Sequence, residues 1–227
     1  MKHILIMIGL SLLCTAAFAS DFSGWQAGAD IGTEQWREKT KDQIVTLASP
    51  GANVSQSLTN KRVGVHAGFD TPVAAIVLGW EAHFALLTGS ATTTFPPEDF
   101  GYVLKPRWQA ALDLRAGVVS HGTLLYITTG PTVSGAARTY FDHSNFYGTV
   151  ADDRIKKTFR GFSYGAGIER RLTDQLRGQL AYRHSTYSHV NDYPSTFNHP
   201  LATPPDQYFE THTAKTDTLT FGLSYAF

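Results

Sequence analysis

Cysteine is nearly absent: the 227-residue chain holds one, Cys14, and it lies in an apolar leader. Long apolar runs are missing too. A helix that crosses a bilayer needs about 20 consecutive apolar residues, and the only stretch that approaches this is at the N-terminus, so a polytopic helical membrane fold is excluded. There is no excess of either charge, with 19 basic and 19 acidic side chains. Nucleic-acid binders carry a clear basic excess, so no nucleic-acid partner is expected. The histidines His143, His189, His199 and His212 fall in predicted loops without metal-ligand spacing and read as solvated loop residues. No metal or cofactor is expected.

The leader predicts the route of the chain. Lys2 and His3 make a short basic start, residues 4–13 an apolar core, and Ala17-Phe18-Ala19 the small-x-small pattern that precedes signal-peptidase cleavage. The cut is placed after Ala19, giving a signal peptide over residues 1–19 and one domain over residues 20–227. An apolar core of about ten residues is too short to anchor the chain in a bilayer. Leu12 and Leu13 stand before Cys14, where lipid attachment to a cysteine wants a small residue. The mature chain then has no cysteine, which excludes disulfides, thiolate metal sites and cysteine nucleophiles.

What is present is alternation with a period of two, in eight segments. In the first, Trp25, Ala27, Ala29, Ile31 and Thr33 share one face, opposite Gln26, Gly28, Asp30, Gly32 and Glu34. Val63, Val65, Ala67 and Phe69 oppose Arg62, Gly64, His66, Gly68 and Asp70. Leu78, Trp80, Ala82, Phe84 and Leu86 oppose Val77, Gly79, Glu81, His83 and Ala85. The other five lie near Trp108–Val118, Leu125–Ser134, Phe162–Glu169, Leu176–Arg183 and Thr218–Phe227, and Pro131 interrupts the fifth segment.

Connection lengths tell which face meets what. Long polar stretches, 37–60, 89–106, 140–157 and 188–215, alternate with tight turns near Pro72, His121 and Thr173. Short turns at one end and long loops at the other are the pattern of a transmembrane barrel, in which the apolar row faces lipid and the polar row faces the lumen. The expected fold is all-β, an eight-stranded antiparallel transmembrane up-and-down β-barrel. Its predicted lumen charge network is Asp30, Arg62, His66, Glu81, His83, Asp113, Arg115, Glu169, Arg177 and Arg183, with glycines making room for the long side chains. Reflection about Thr173 predicts Arg177 opposite Glu169, Gln179 opposite Gly167, Ala181 opposite Gly165 and Arg183 opposite Ser163. Reflection about His121 predicts Arg115 opposite Thr128 and Asp113 opposite Gly130. An eight-stranded interior is just wide enough for side chains to fill, and buried charges must be paired, so a filled lumen is expected rather than an open pore.

Leu219, Phe221, Leu223, Tyr225 and Phe227 form an apolar terminal row that resembles the signal read by the outer-membrane assembly machinery. Together with Gly24-Trp25-Gln26-Ala27-Gly28, Val77-Leu78-Gly79-Trp80-Glu81-Ala82, Leu124-Leu125-Tyr126, Gly165-Ala166-Gly167-Ile168-Glu169, Tyr182-Arg183 and Gly222-Leu223-Ser224-Tyr225-Ala226-Phe227, it makes the chain similar to the small outer-membrane barrels of the opacity-protein and OmpA type. Ala226 stands where that family often has arginine. The resemblance implies a monomer in the outer membrane of a Gram-negative bacterium, long loops outward, with a structural or surface-interaction role. Its partners would be outer-membrane lipid, lipopolysaccharide and the assembly machinery.

Two alternatives stay open on the same barrel, a lipid A-modifying enzyme and a small-conductance porin. Lipid A deacylases of similar size use a histidine and a serine two residues apart on the lipid-facing side. In His184-Ser185-Thr186, alternation turns His184 and Thr186 outward and Ser185 into the lumen, so no enzyme is expected. Lys61, Lys105, Arg138, Lys156, Lys157, Arg160 and Lys215 gather where strands meet long loops, the level of lipopolysaccharide phosphates. They are the expected lipopolysaccharide contacts, since basic side chains suit such anions.

Overall fold

In the computed structural model, residues 22–42, 53–95, 100–142, 153–192 and 210–227 are described. The leader with Cys14, His143, His199 and the proline-bearing stretch 193–209 lie outside them. Every alternating segment lies in a strand: β1 (Gly24–Asp42), β2 (Asn53–Val73), β3 (Ile76–Thr88), β4 (Ala91–Phe95), β5 (Phe100–Ser120), β6 (Thr123–Asp142), β7 (Asp153–Arg171), β8 (Leu176–Tyr187), β9 (Val190–Asp192) and β10 (Glu210–Ala226), of which β4 and β9 are two further short strands that fall within the expected long connections. β4 continues β3 upward beside β5, and β9 continues β8 upward beside β10. The ring therefore has eight antiparallel staves, closed by β1 against β10 from Gln26↔Ala226 to Asp42↔Glu210. Closure matters because lipid offers no partner for an unpaired strand edge.

The three tight turns set the registers. His121 and Gly122 both have positive φ, 50° and 71°, as a two-residue hairpin of matching twist requires. Arg115 falls opposite Thr128 as expected, and Ala111↔Thr132 continues the same register. Between them Pro131, which has no N–H to donate, interrupts the β5–β6 ladder while β6 itself runs on. The third turn is wider than expected. Thr173 Oγ1 accepts hydrogen bonds from the N–H groups of Leu176 (2.9 Å) and Gln175 (3.4 Å). Glu169 therefore pairs with Gln179, Gly167 with Ala181 and Gly165 with Arg183, a register two residues from the expected one. An even shift keeps every side chain on its face, so the division into lumen and lipid rows survives.

The lipid row is continuous. Trp25, Ile31, Val63, Val65, Leu78, Phe84, Leu114, Ile127, Phe162, Leu180, Leu219, Phe221 and Leu223 are all exposed. Aromatic pairs lie at both edges of this belt, with Trp25 against Phe69 and Trp80 near the short turns and Phe84 stacked with Trp108 near the other rim. Such girdles are the interfacial feature of lipid-embedded barrels.

The long connections are shorter than the sequence suggests, because the strands do not stop at the belt. β1 runs on to Asp42 and β2 starts at Asn53, so most of the expected loop over 37–60 is a hairpin standing above the membrane. In this extension the polarity inverts. Arg37, Lys39 and Lys41 point out, while Trp36, Glu38 and Thr40 are buried inside. Water replaces lipid outside, so the apolar side chains turn inward. Trp36, Leu58, Tyr102, Leu104, Tyr140, Phe159 and Tyr187 make an aromatic cluster in the upper lumen. A second cluster, Phe22, Val77, Val119, Leu124 and Tyr126, fills the end near the short turns.

Candidate functional site

Between the two apolar clusters lies the charged interior. All ten residues of the expected network occur there, and the pairing can be followed tier by tier. In the lower tier Arg115 is the hub. It reaches Glu169 at 2.7 Å, Glu81 at 3.1 Å and Asp70 at 3.4 Å, and its guanidinium stacks 4.3 Å from the Tyr126 ring. Arg177 joins Glu169 at 3.3 Å and covers Phe22. Five guanidinium donors in a planar fork let one arginine serve several carboxylates at once.

In the middle tier Arg62 donates to Asp30 at 3.2 Å and to Gln109 at 3.1 Å, and Gln109 donates to the Tyr187 hydroxyl at 2.8 Å. Arg183 pairs with Asp113, which also accepts from Ser163 at 3.0 Å. His83 Nε2 lies 2.7 Å from Glu81 and 3.7 Å from Asp113. His66 Nδ1 lies 3.6 Å from Asp30. Glu34 accepts from Asn60 at 3.2 Å and from Thr218 at 3.5 Å.

The upper tier was not foreseen. Glu38 pairs with Arg138 and with His212 at 2.8 Å, and accepts from the Trp36 indole at 3.2 Å. Glu38 stands in the extension above the belt. Burial by itself would raise its carboxyl, but Arg138 and His212 override this and hold it down at about 2. His212 is thus an interior residue of β10 and not a solvated loop histidine. Arg138 is also displaced from the expected lipopolysaccharide set: it is buried in the lumen, because β6 continues to Asp142 and its inward parity there falls on Ala136, Arg138 and Tyr140. The signal was in the sequence, as period-two alternation running past the belt, but the apolar row had changed sides.

Charges inside do not balance. Among the described residues the buried acids Asp30, Glu34, Glu38, Asp70, Glu81, Asp113 and Glu169 face the arginines Arg62, Arg115, Arg138, Arg177 and Arg183, seven against five. The upper tier is neutral, and so is the lower pairing of Asp70 and Glu169 with Arg115 and Arg177. Glu81 bridges the lower and middle tiers, between Arg115 and His83, and the other acids, Asp30, Glu34 and Asp113, stand in the middle tier with Arg62 and Arg183 around His66 and His83. Space there is small: a cavity of about 20 Å³ lies among Asp30, Arg62, Glu81, His83, Gln179 and Arg183, room for one water-sized group.

On the outer wall, Lys61, Arg160, Lys156 and Lys215 are exposed just above the belt, and Lys105 is half-buried. Arg37, Lys39, Lys41, Arg107 and Arg154 extend this collar and are likewise exposed. Lys157 is not part of it, since it shares the parity of inward Phe159 and donates to the Asn191 carbonyl at 2.9 Å. Ser185 is fully buried in the lumen, as expected. Its neighbours form a chain outside: Thr186 Oγ1 lies 3.4 Å from His184 Nε2, and His184 Nδ1 lies 2.8 Å from Asp217. Asp217 is further held by Arg37 and by the Tyr182 hydroxyl at 2.5 Å.

A closed ring of eight antiparallel staves with an apolar outer belt, aromatic edges and a polar interior defines an outer-membrane β-barrel protein. Over residues 5–227 the sequence matches the family described as outer membrane protein beta-barrel domain, and the chain belongs to it. It resides in the outer membrane, with its long connections on the extracellular side. Among solved structures it is similar to Ail, the attachment invasion locus protein of Yersinia pestis, at 12% identity over 90% of this chain and 99% of that one, with a TM-score of 0.43. A major outer membrane protein from Thermus thermophilus is similar at 10% identity over 87% and 99%, TM-score 0.44. Neisserial surface protein A is similar at 10% identity over 88% and 99%, TM-score 0.39. No curated protein matches the chain.

Arg115 holds three carboxylates, so Arg115→Ala leaves Asp70, Glu81 and Glu169 short of a cation in a buried site. The expected loss is about 3–5 kcal/mol, read as a lower denaturant midpoint for unfolding from detergent micelles. A loss below about 1 kcal/mol, the scale of an exposed ion pair, would show that the tier does not behave as a buried network.

Proposed function

We propose that the protein is a closed outer-membrane barrel with a structural or surface-interaction role, carried by its outer wall and extracellular extension rather than by a pore. The observation that supports this is the filling of the interior among the described residues: an aromatic plug threaded by the upper charged tier, two charged tiers beneath it and a lower apolar plug, with a middle-tier cavity of about 20 Å³. An ion would have to break paired, buried charges to pass. In planar bilayers the purified barrel should give no stable conductance steps, and a large, lasting conductance would sink this reading.

The collar deepens the surface role. Lys61, Lys156, Arg160 and Lys215 stand above the apolar belt where lipid phosphates lie, and charge-assisted hydrogen bonds to phosphate are the strong kind. Lipopolysaccharide is the proposed partner. Replacing these four by glutamine should lower the lipopolysaccharide that remains with the detergent-purified barrel by more than half, roughly the effect of a few tenths of a kcal/mol or more per lost contact. Unchanged retention would argue that the collar is merely solvated.

One observation favours a second reading, an acyl-ester hydrolase acting on lipid in the outer leaflet. Thr186, His184 and Asp217 are ordered as hydroxyl, base and orienting carboxylate, on the outer wall. In such a reaction the Thr186 oxygen attacks the acyl carbonyl and its proton passes to His184 Nε2. His184 then protonates the departing lipid alkoxide, and water cleaves the acyl-threonine to release a fatty acid. The nucleophile position expected to fail at Ser185 is filled by Thr186 instead. Lipopolysaccharide from cells expressing the protein would lose an acyl chain, and His184→Ala would restore it. Identical acyl composition with and without the protein removes this reading and leaves the first intact.

A further inference from the structure

We propose that the middle tier of the lumen is a binding site for one divalent late transition metal ion, zinc being the representative, with Asp30, His66 and His83 as its protein ligands. The three side chains come from adjacent staves β1, β2 and β3, and one ligand atom from each lies within 4.8 Å of the other two. Zinc takes imidazole nitrogen and carboxylate oxygen at about 2.0–2.2 Å. Ligand atoms in a four-coordinate site therefore stand some 3.4 Å apart, and the Asp30 Oδ2 to His66 Nδ1 separation is already 3.6 Å.

Three independent features point the same way. Asp30 is buried, Arg62 occupies its Oδ1, and its Oδ2 accepts no hydrogen bond. An orphaned carboxylate oxygen in such a place is costly, and a cation would satisfy it. Second, three carboxylates lie close to the two imidazoles, Asp30 beside His66 and Glu81 and Asp113 beside His83, and a cation is the natural partner of such a set. Third, glycines stand against two of these side chains: a Cβ at Gly28 would meet His66 Nε2 at 2.5 Å as well as the Leu223 carbonyl, and one at Gly64 would meet the Asp30 carboxylate and the Phe84 carbonyl, each at 2.9 Å. A cavity of about 20 Å³ adjoins Asp30 and His83, two of the three ligands.

The surroundings also fit. Glu81 sits 2.7 Å from His83 Nε2, an ion-pair contact that places a carboxylate beside one ring nitrogen and favours Nδ1 as the ligand. A carboxylate that orients a metal-bound histidine in this way is the usual support of such sites. Two imidazoles in the set select zinc, copper, nickel or cobalt over magnesium and calcium, which prefer oxygen. Since apolar clusters cover both ends of the lumen, the ion would enter as the barrel folds.

The test refolds the full mature chain into detergent with ZnCl2 or with EDTA, checks folding by heat-modifiable gel mobility, and measures zinc after desalting. About one equivalent is expected in the protein folded with zinc, as for a single three-ligand site. Asp30→Asn and His83→Gln should each cut retention by about tenfold or more, while the exposed-histidine control His189→Ala should leave it unchanged. A second measurement needs no variant: folding with Cu2+ should give an electron paramagnetic resonance spectrum split by imidazole nitrogens. Folded wild-type protein that keeps no zinc, variants that keep as much as wild type, or a copper spectrum without nitrogen coupling would each overturn the proposal. None of these results depends on conductance, so a leaky barrel and an absent metal site are separately visible.

Discussion

A barrel of eight strands encloses a space only as wide as its own side chains, and among the described residues that space holds seven carboxylates and five guanidiniums. Each of these charges must find its partner within reach or destabilise the whole ring. Arg115 shows how tightly this binds the structure together. One guanidinium on β5 joins carboxylates carried by β2, β3 and β7, so the lower tier links staves on several sides of the ring. The network is thus a cross-brace as well as a filling, and the registers of the turns matter because they decide which charges meet.

The outer wall is governed by solvent. Within the belt, lipid draws Val, Leu, Ile and Phe outward and leaves charge for the interior. Above it, water draws Arg37, Lys39 and Lys41 outward and sends Trp36, Tyr102 and Tyr140 inside. A single strand such as β1 crosses both solvents and inverts its faces between Thr33 and Trp36. This inversion builds the aromatic plug, and it also leaves a basic collar and the Thr186, His184, Asp217 chain at the upper edge of the apolar belt.

Legibility followed the same boundary. Inside the belt the faces were read correctly: the inward parity of Asp30, Arg62, Glu81, Asp113 and Arg183, the outward parity of His184, and the turn at His121 all stand. Beyond it, the expected loop over 37–60 turned out to be largely strand, and Arg138 and His212 moved from rim and loop to a buried pair on Glu38. A rule that looks for one greasy row loses the strand at the point where the row changes sides. The turn at Thr173 failed differently, since its hydroxyl caps two N–H groups and widens the loop, which a reflection about one residue does not contain.

Local pattern by itself determined the number of staves in the ring, the lipid-facing row, the lumen row and the alternation of short and long connections, because each depends only on parity and on where polar residues interrupt it. Which charges are partners was decided by tertiary structure. Arg115 with Glu169, Asp30 with His66, and Glu38 with Arg138 are far apart in sequence, and they meet only because closing the ring brings separate staves around one narrow space. The gathering of Asp30, Glu81 and Asp113 beside His66 and His83 belongs to that level as well: a chain neutral overall by composition brings these groups together only where the ring places their staves around the lumen.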